Sequence, residues 1–228
     1  MKYLTEPLYK KMQLFHLPLE AGMSLTDLEE EFGIEADDFL LQELLARDEW
    51  YDQYLPEPLH SRLFAPNGEV SFQQLDDALL VQIAAFRQDV EREWAKAVAK
   101  VRQEKQQLWK TAVPELRQLL ELDLADSEIR RISGIDSDTV QIELYPQWDI
   151  GKILTLSFTD VKDSWMGRIH PDDANWWLVD EIAADAEREG RYVLQALFGN
   201  ADYVGQLQLT FAGVQVSERE DPLEVSVL

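Results

Sequence analysis

The chain has 228 residues, and its 44 acidic and 21 basic side chains give it a net charge of −23. A surface this negative repels phosphates and attracts cations, which argues against nucleic-acid binding and favours a basic protein as partner. A solvated, solubilising surface is the simpler interpretation of the same acids. The hydrophobic content of 46% excludes a disordered acidic tail, and the lack of cysteine excludes disulfides and thiol chemistry.

The beginning of the chain, Met1 to Pro7, lacks the unbroken apolar run of a signal peptide. Apolar stretches elsewhere are far shorter than the roughly 20 residues that a bilayer requires. The sequence therefore predicts no membrane contact and a cytoplasmic location. The absence of cysteine agrees with a reducing compartment such as the cytoplasm.

The first 70 residues predict short helices that are separated by proline-marked turns. Asp37 and Asp38 open one helix, where acids complement the positive end of the helix dipole. Pro56, Pro58 and Pro66 then interrupt regular structure.

A single long helix over about residues 71–112 is the strongest predicted element. Ser71 and Gln74 have the spacing of a capping box, and neither Pro nor Gly follows before Pro114. Its apolar residues recur every three or four positions and form one stripe, which packs within the chain or forms a homodimer. The stripe comprises Leu75, Leu79, Ile83, Phe86, Val90, Trp94, Ala97, Val101 and Leu108.

The pattern changes to alternation from Asp126 onward, which indicates half-buried strands. We predict an α+β fold with N-terminal helices and an antiparallel sheet of about six strands. A helical region over 1–122 and a β-rich region over 123–228 are expected, as two domains or as one continuous domain. The predicted strands are Glu128 to Ile135, Thr139 to Tyr145, Lys152 to Phe158, Trp176 to Ile182, Arg191 to Phe198 and Gln206 to Val216.

Motifs for catalysis are lacking in the sequence, which has neither a nucleophile elbow nor a dinucleotide-binding fingerprint. His16, His60 and His170 are far apart in the chain. The loop from His170 to Asp173 has oxygen and nitrogen donors for a divalent ion, although a proline turn explains the same residues. The sequence predicts no cofactor.

Aromatic residues flank a polar segment that links two predicted strands. Trp176 and Trp177 are adjacent, so they point to opposite faces of a strand, and only one can face a given core. The other is buried beneath a helix or belongs to a recognition surface ringed by acids. The candidate binding residues are Trp165, Trp176, Trp177, Asp172, Asp173, Asp180 and Glu181.

The order of these features resembles an uncharacterised bacterial family of unknown function. The resemblance rests on Met1-Lys2-Tyr3-x-Thr5, on the long charged helix with Trp94, and on the segments from Leu124 to Ile129 and from Trp177 to Ile182. Similar chains have a Leu-His-Asp-Ala segment before the first strand, and their β half looks like immunity modules of bacterial toxin systems. Ala125 stands where that histidine would fall, and Asp126 and Glu181 keep the shared polar pattern.

Three functions are compatible with the sequence. A non-catalytic, acidic interaction module that neutralises a basic partner is the first, and it agrees with the immunity modules that the resemblance implies. A metal-dependent hydrolase that uses carboxylates is the second, and a structural homodimer is the third.

Overall fold

The computed structural model describes residues 1–15, 26, 30, 36–71, 75–149, 151–167, 175–200 and 203–221. His16, Gln74, His170, Asp172 and Asp173 lie outside the described residues. The chain divides into two compact units, one formed by Met1–Leu4 with Val98–Leu228 and the other by Thr5–Ala97. The predicted border near residue 122 lies between the last helix and the first strand. That it is also a border between domains stays a prediction.

The described residues form helices in the first half of the chain and strands in the second. No helix among them has the length and apolar character needed to cross a membrane. The helices are α1 (Glu6–Met12), α2 (Ala36–Ala46), α3 (Asp48–Tyr54), α4 (Glu57–Leu63), α5 (Asp77–Thr111) and α6 (Pro114–Glu121). The strands are β1 (Ser127–Ser133), β2 (Thr139–Tyr145), β3 (Lys152–Thr159), β4 (Asp163–Met166), β5 (Trp176–Ala184), β6 (Tyr192–Gly199), β7 (Val204–Phe211) and β8 (Gly213–Glu220).

The long helix α5 confirms the predicted element but begins later, at Asp77. The carboxylate of Asp76 accepts a hydrogen bond from the backbone N–H of Leu79 at 2.7 Å and so caps the helix. This bond is the main reason why the pKa of Asp76 lies below its usual range. The backbone N–H of Ser71 instead donates to the carbonyl oxygen of Leu63, before the helix begins.

The apolar stripe of α5 is buried over its first turns within the unit Thr5–Ala97, where Leu79 and Ile83 are almost fully enclosed. The ring of Phe15 packs edge-on against the rings of Tyr51 and Phe86 in the same unit. The backbone N–H of Phe15 donates to the Tyr51 hydroxyl at 2.8 Å. Burial is the largest cause of the raised pKa of that hydroxyl. Interdigitated aromatic rings therefore hold these helices together.

The sheet is antiparallel, as predicted, but it has eight strands and not about six. Their order is β4-β7-β6-β5-β1-β2-β3-β8. The predicted strand from Gln206 to Val216 is interrupted at Ala212, so β7 and β8 are separate strands that lie far apart in the sheet. Strand β4 has four residues, too few for a visible alternation in the sequence.

The β1–β5 seam divides the sheet into two four-stranded halves. Among the described residues, strands β1 and β5 pair through Ser127 with Trp177 and through Glu128 with Trp176. A β-bulge follows the seam on each strand, at Arg130 in β1 and at Leu178 in β5, where the registers with the outer neighbours shift. The seam therefore has fewer paired residues than any other two neighbouring strands in the described part of the sheet.

Helix α6 and the inward faces of both halves of the sheet form one hydrophobic core in the unit that contains residues 98–228. Inward residues alternate along the strands with outward polar ones, as in the outward pair Gln195 and Gln208. The largest fully buried side chains of this core are Trp177, Phe158, Phe198 and Phe211.

Candidate functional site

A row of three side chains crosses three strands at the β1–β5 seam. Trp176 of β5 is the register partner of Glu128 of β1, and Glu128 is in turn the partner of Tyr145 of β2. Directly opposed residues of neighbouring strands project from the same face of a sheet. A carboxylate therefore lies between two aromatic side chains.

This row forms part of a surface cavity of about 460 Å³, which we call the Trp176 cavity. Four carboxylates and one ammonium group line it, so its walls carry an excess of negative charge. The lining residues are Asp126, Glu128, Tyr145, Pro146, Gln147, Asp149, Gly151, Lys152, Trp176 and Asp221.

The acids of the cavity differ in their partners. The carboxylate of Asp149 forms an ion pair with Lys152, and this hydrogen bond raises the pKa of the Lys152 ammonium. Asp221 is buried and accepts a hydrogen bond from the Tyr145 hydroxyl, whose pKa is raised by burial first and by this carboxylate second. Within the described part of the chain, no cationic side chain pairs with Asp126 or Glu128. These two carboxylates are available to a ligand.

Local backbone features shape the walls of the cavity. Asp126 has a φ of 60°, a left-handed conformation that Asp tolerates better than most residues, and the chain enters β1 directly after it. Gly151 has a φ of 93°, and its carbonyl oxygen accepts a hydrogen bond from the backbone N–H of Asp221 at 2.7 Å. The bulged Arg130 places its guanidinium 5.8 Å from the centre of the Tyr145 ring. One face of that ring is therefore already stacked against a cation.

A cation is the ligand that this arrangement favours. Aromatic faces attract ammonium and guanidinium groups, and the neighbouring carboxylates supply opposite charge. Among the residues that the structure describes, no group of three or more His, Cys, Asp or Glu side chains is arranged to hold a metal ion. The imidazole of His60, a histidine named in the sequence analysis, forms a hydrogen bond with the Asp52 carboxylate at 2.8 Å and stacks on the Phe64 ring. The donor set thus fits an organic cation better than a metal.

The two adjacent tryptophans of β5 lie on opposite sides of the strand. Trp176 is 39% exposed in the cavity, whereas Trp177 is fully buried in the core. The indole N–H of Trp177 donates to the Asp180 carboxylate at 3.2 Å, and that carboxylate also accepts from Lys105 at 2.7 Å. The predicted recognition role is therefore compatible with the exposure of Trp176, while Trp177 and Asp180 have internal partners.

Glu181 belongs to a group that we call the N-terminal anchor, with Lys2, Tyr3, Leu4 and Glu104. Its buried carboxylate accepts hydrogen bonds from the backbone N–H groups of Lys2, Tyr3 and Leu4. Glu104 accepts from the Lys2 ammonium and the Tyr3 hydroxyl, both at 2.6 Å. The carboxylate of Glu181 is thus used to hold the chain's own backbone, and a binding role for it stays a prediction.

Trp165 is 56% exposed on strand β4, where its register partner is Gln208. It is not a lining residue of the Trp176 cavity. Of the predicted binding residues that the structure describes, only Trp176 lines the cavity. The acids and the tyrosine that surround it were not predicted as binding residues, although the alternation of β2 does place Tyr145 on the outward face.

The sequence matches, over residues 3–202, the protein family described as "Protein of unknown function (DUF4085)". No curated protein and no solved structure matches the chain.

Proposed function

The chain belongs to the DUF4085 family, whose description assigns no activity, and we propose from its own site that it is a non-catalytic module that binds a basic protein at the Trp176 cavity. The observation that carries the proposal is the row of Trp176, Glu128 and Tyr145. In this row an exposed indole and a carboxylate without a cationic partner among the described residues line the same cavity.

The energetics of such a site favour a lysine or arginine side chain of the partner. A cation over an aromatic face gains about 0.5–2 kcal/mol, and the gain is largest where the pair is shielded from water. Glu128 and Asp126 add charge-assisted hydrogen bonds, which are stronger than neutral ones. One inserted side chain can thus act as the anchor of a larger interface.

The charge of the whole chain supports a protein partner with a positive surface. A net charge of −23 steers a basic partner toward the module and raises the association rate at low salt. A basic nuclease or toxin is a partner of this kind, because an acidic module that covers its cationic cleft also excludes phosphate. This use agrees with the immunity modules that the sequence resembles.

The first test measures the binding of a fluorescently labelled Arg- and Lys-rich peptide to the whole chain by anisotropy. We expect Trp176→Ala and Glu128→Gln each to weaken binding by about tenfold, which corresponds to roughly 1.4 kcal/mol. Trp165→Ala is the matched control, because it removes an exposed tryptophan outside the cavity and should leave the affinity unchanged. Equal losses in all three variants would contradict the proposal.

The second test identifies a physiological partner by affinity capture from a bacterial extract at low and high salt. The proposal expects a basic protein that is retained at low salt by the wild-type chain and not by Trp176→Ala. A partner that both chains retain equally, or that is indifferent to salt, would count against the cavity as its binding site.

A further inference from the structure

The last turns of α5 carry another exposed tryptophan, and its surroundings differ from those of Trp176. Trp109 is 42% exposed, and a groove of about 330 Å³ lies beside it. We call its surroundings the Trp109 surface, which lies entirely within the unit that contains residues 98–228. The surface comprises Arg102, Lys105, Gln106, Trp109, Lys110, Val113, Arg117 and Leu120.

The indole of Trp109 is held in one orientation although it is exposed. Its N–H donates to the Glu121 carboxylate at 2.9 Å. The Arg117 guanidinium stacks 4.7 Å from the ring centre and donates through Nε to the carbonyl oxygen of Trp109 at 3.1 Å. A rigid exposed aromatic residue loses little conformational entropy on binding, which is the property of an interface anchor.

The charged side chains around this indole are mainly basic, in contrast to those around Trp176, although the Glu121 carboxylate contacts its N–H. Arg102, Gln106 and Trp109 lie three or four residues apart and therefore share one face of α5, and none of the three is an acid. Lys105 is paired with Asp180, but within the described ranges no carboxylate pairs with Arg102, Lys110 or Arg117. In a chain of net charge −23, three unpaired cations beside an exposed tryptophan form a local positive site.

We propose that the Trp109 surface binds an acidic polypeptide segment that carries an apolar residue. The apolar residue occupies the groove floored by Leu120 and packs against the indole, and the acids of the segment pair with Arg102, Lys110 and Arg117. This partner differs from the basic one at the Trp176 cavity, so the module has two docking sites of opposite charge.

An acidic polypeptide fits this surface better than a nucleic acid does. A nucleic acid extends its phosphates well beyond a short contact and meets the negative field of the rest of the chain. An acidic segment of a few residues places its charges only where the three cations lie. The groove is apolar, and an aliphatic or aromatic side chain is its natural occupant.

The test uses ¹⁵N-labelled tryptophan side chains of the whole chain, whose indole N–H signals report each site separately. Trp109→Phe, Trp176→Phe and Trp165→Phe assign the three signals. The first probe is a short Glu-rich peptide with a single Leu, and the second is its counterpart with Lys at every Glu position. We expect the Glu peptide to shift the Trp109 signal saturably, the Lys peptide to shift the Trp176 signal, and neither to shift the Trp165 signal.

Lys110→Glu is the decisive variant, because Lys110 is exposed and its reversal leaves the stacking of Arg117 on Trp109 in place. It should weaken binding of the Glu peptide by about tenfold and leave the Lys-peptide shift of Trp176 unchanged. Unchanged affinity in Lys110→Glu, or no shift of Trp109 up to millimolar Glu peptide, would overturn the proposal.

Two further results would replace the proposed partner with another. A shift of Trp109 by a single-stranded oligonucleotide but not by the Glu peptide would assign the surface to nucleic acid. A shift of Trp109 that grows with protein concentration alone would assign it to a second copy of the chain. Because the Lys peptide reports on Trp176 in the same sample, failure at one site is distinguishable from failure at the other.

Discussion

The Trp176 cavity and the N-terminal anchor are both rich in acids, and strand β5 contributes to each. At the anchor, Glu181 accepts three backbone N–H groups and Glu104 accepts from Lys2 and Tyr3. At the cavity, Asp126 and Glu128 have no cationic partner among the described side chains. The acids of one region hold the fold together, whereas acids of the other region are available to bind.

This difference shows why the net charge of an acidic protein does not identify its binding surface. An acid that already accepts several hydrogen bonds is costly to release, whereas an exposed unpaired acid has only water to lose. Matched substitutions on the two sides therefore separate stability from binding, and they are given below from the largest expected effect to the smallest.

The two adjacent tryptophans of β5 provide the largest contrast. Trp177→Ala should lower the free energy of unfolding by about 3–5 kcal/mol, because it empties a fully buried position. Trp176→Ala should lower it by less than about 1 kcal/mol, since its indole is partly in solvent. Urea denaturation followed by circular dichroism measures both values. Equal losses would show that Trp176 is a structural residue.

The two glutamates provide the next contrast. Glu181→Gln removes the charge that three backbone N–H groups share, and it should cost about 2 kcal/mol of unfolding free energy. Glu128→Gln should change stability by no more than about 0.5 kcal/mol, because no described side chain depends on its charge. The same denaturation experiment checks the pair, and a destabilised Glu128→Gln would argue that this acid is structural.

Asp76 is a further acid with a structural use, as the cap of α5. Asp76→Ala should destabilise the chain by about 1 kcal/mol because the N–H of Leu79 loses its acceptor. Glu93→Ala, in the exposed middle of the same helix, is the control and should stay within about 0.5 kcal/mol of the wild type. Thermal unfolding of the two variants is sufficient, and equal melting temperatures would contradict the assigned cap.

The pH dependence of the anchor gives the smallest effect. The hydrogen bond from Lys2, and next that from Tyr3, lower the pKa of Glu104 in the folded chain. Because the pKa of Glu104 is lower in the folded chain, its ionised form stabilises the fold fully above the pKa of a glutamate in the unfolded chain, about 4.3. This stabilisation is lost as the pH falls through the pKa of Glu104 in the folded chain. The stability difference between wild type and Glu104→Gln should therefore shrink below about pH 4. A difference that is constant with pH would show that the charge is unimportant.

Much of the fold could be predicted because it depends on local patterns. The spacing of Leu79, Ile83 and Val90 predicts α5, and the alternation from Thr139 to Tyr145 predicts β2 with its observed bounds. The break at Ala212 has a signal in the sequence, because the apolar positions change phase there, from Leu209 and Phe211 to Val214. No local pattern shows that the chain then moves to the other end of the sheet. Neighbours such as β1 and β5 are set by tertiary packing, to which no sequence period corresponds.

Less of the site could be predicted, because its residues come from distant segments. Trp176 was a candidate because it is adjacent to Trp177 in the sequence. Glu128 and Tyr145 line the same cavity because of the strand register, and Asp221 lines it because it directly follows β8. The backbone N–H groups that donate to Glu181 lie at the opposite end of the sequence, so the structural role of this acid could not be predicted either. The hydrogen-bond partners of a carboxylate distinguish a binding acid from a structural acid, and these partners are set only in the folded chain.

The β1–β5 seam gives the cavity an influence on the whole sheet. Backbone hydrogen bonds cross it from the Asp126 N–H to the Trp177 carbonyl oxygen and from the Ile129 N–H to the Asn175 carbonyl oxygen. Glu128 and Trp176 form one pair of the seam and also line the Trp176 cavity. A ligand that contacts both side chains should stabilise the pairing between the two four-stranded halves of the sheet. We therefore expect amide hydrogen exchange at Asp126 and Ile129 to slow when the ligand is bound.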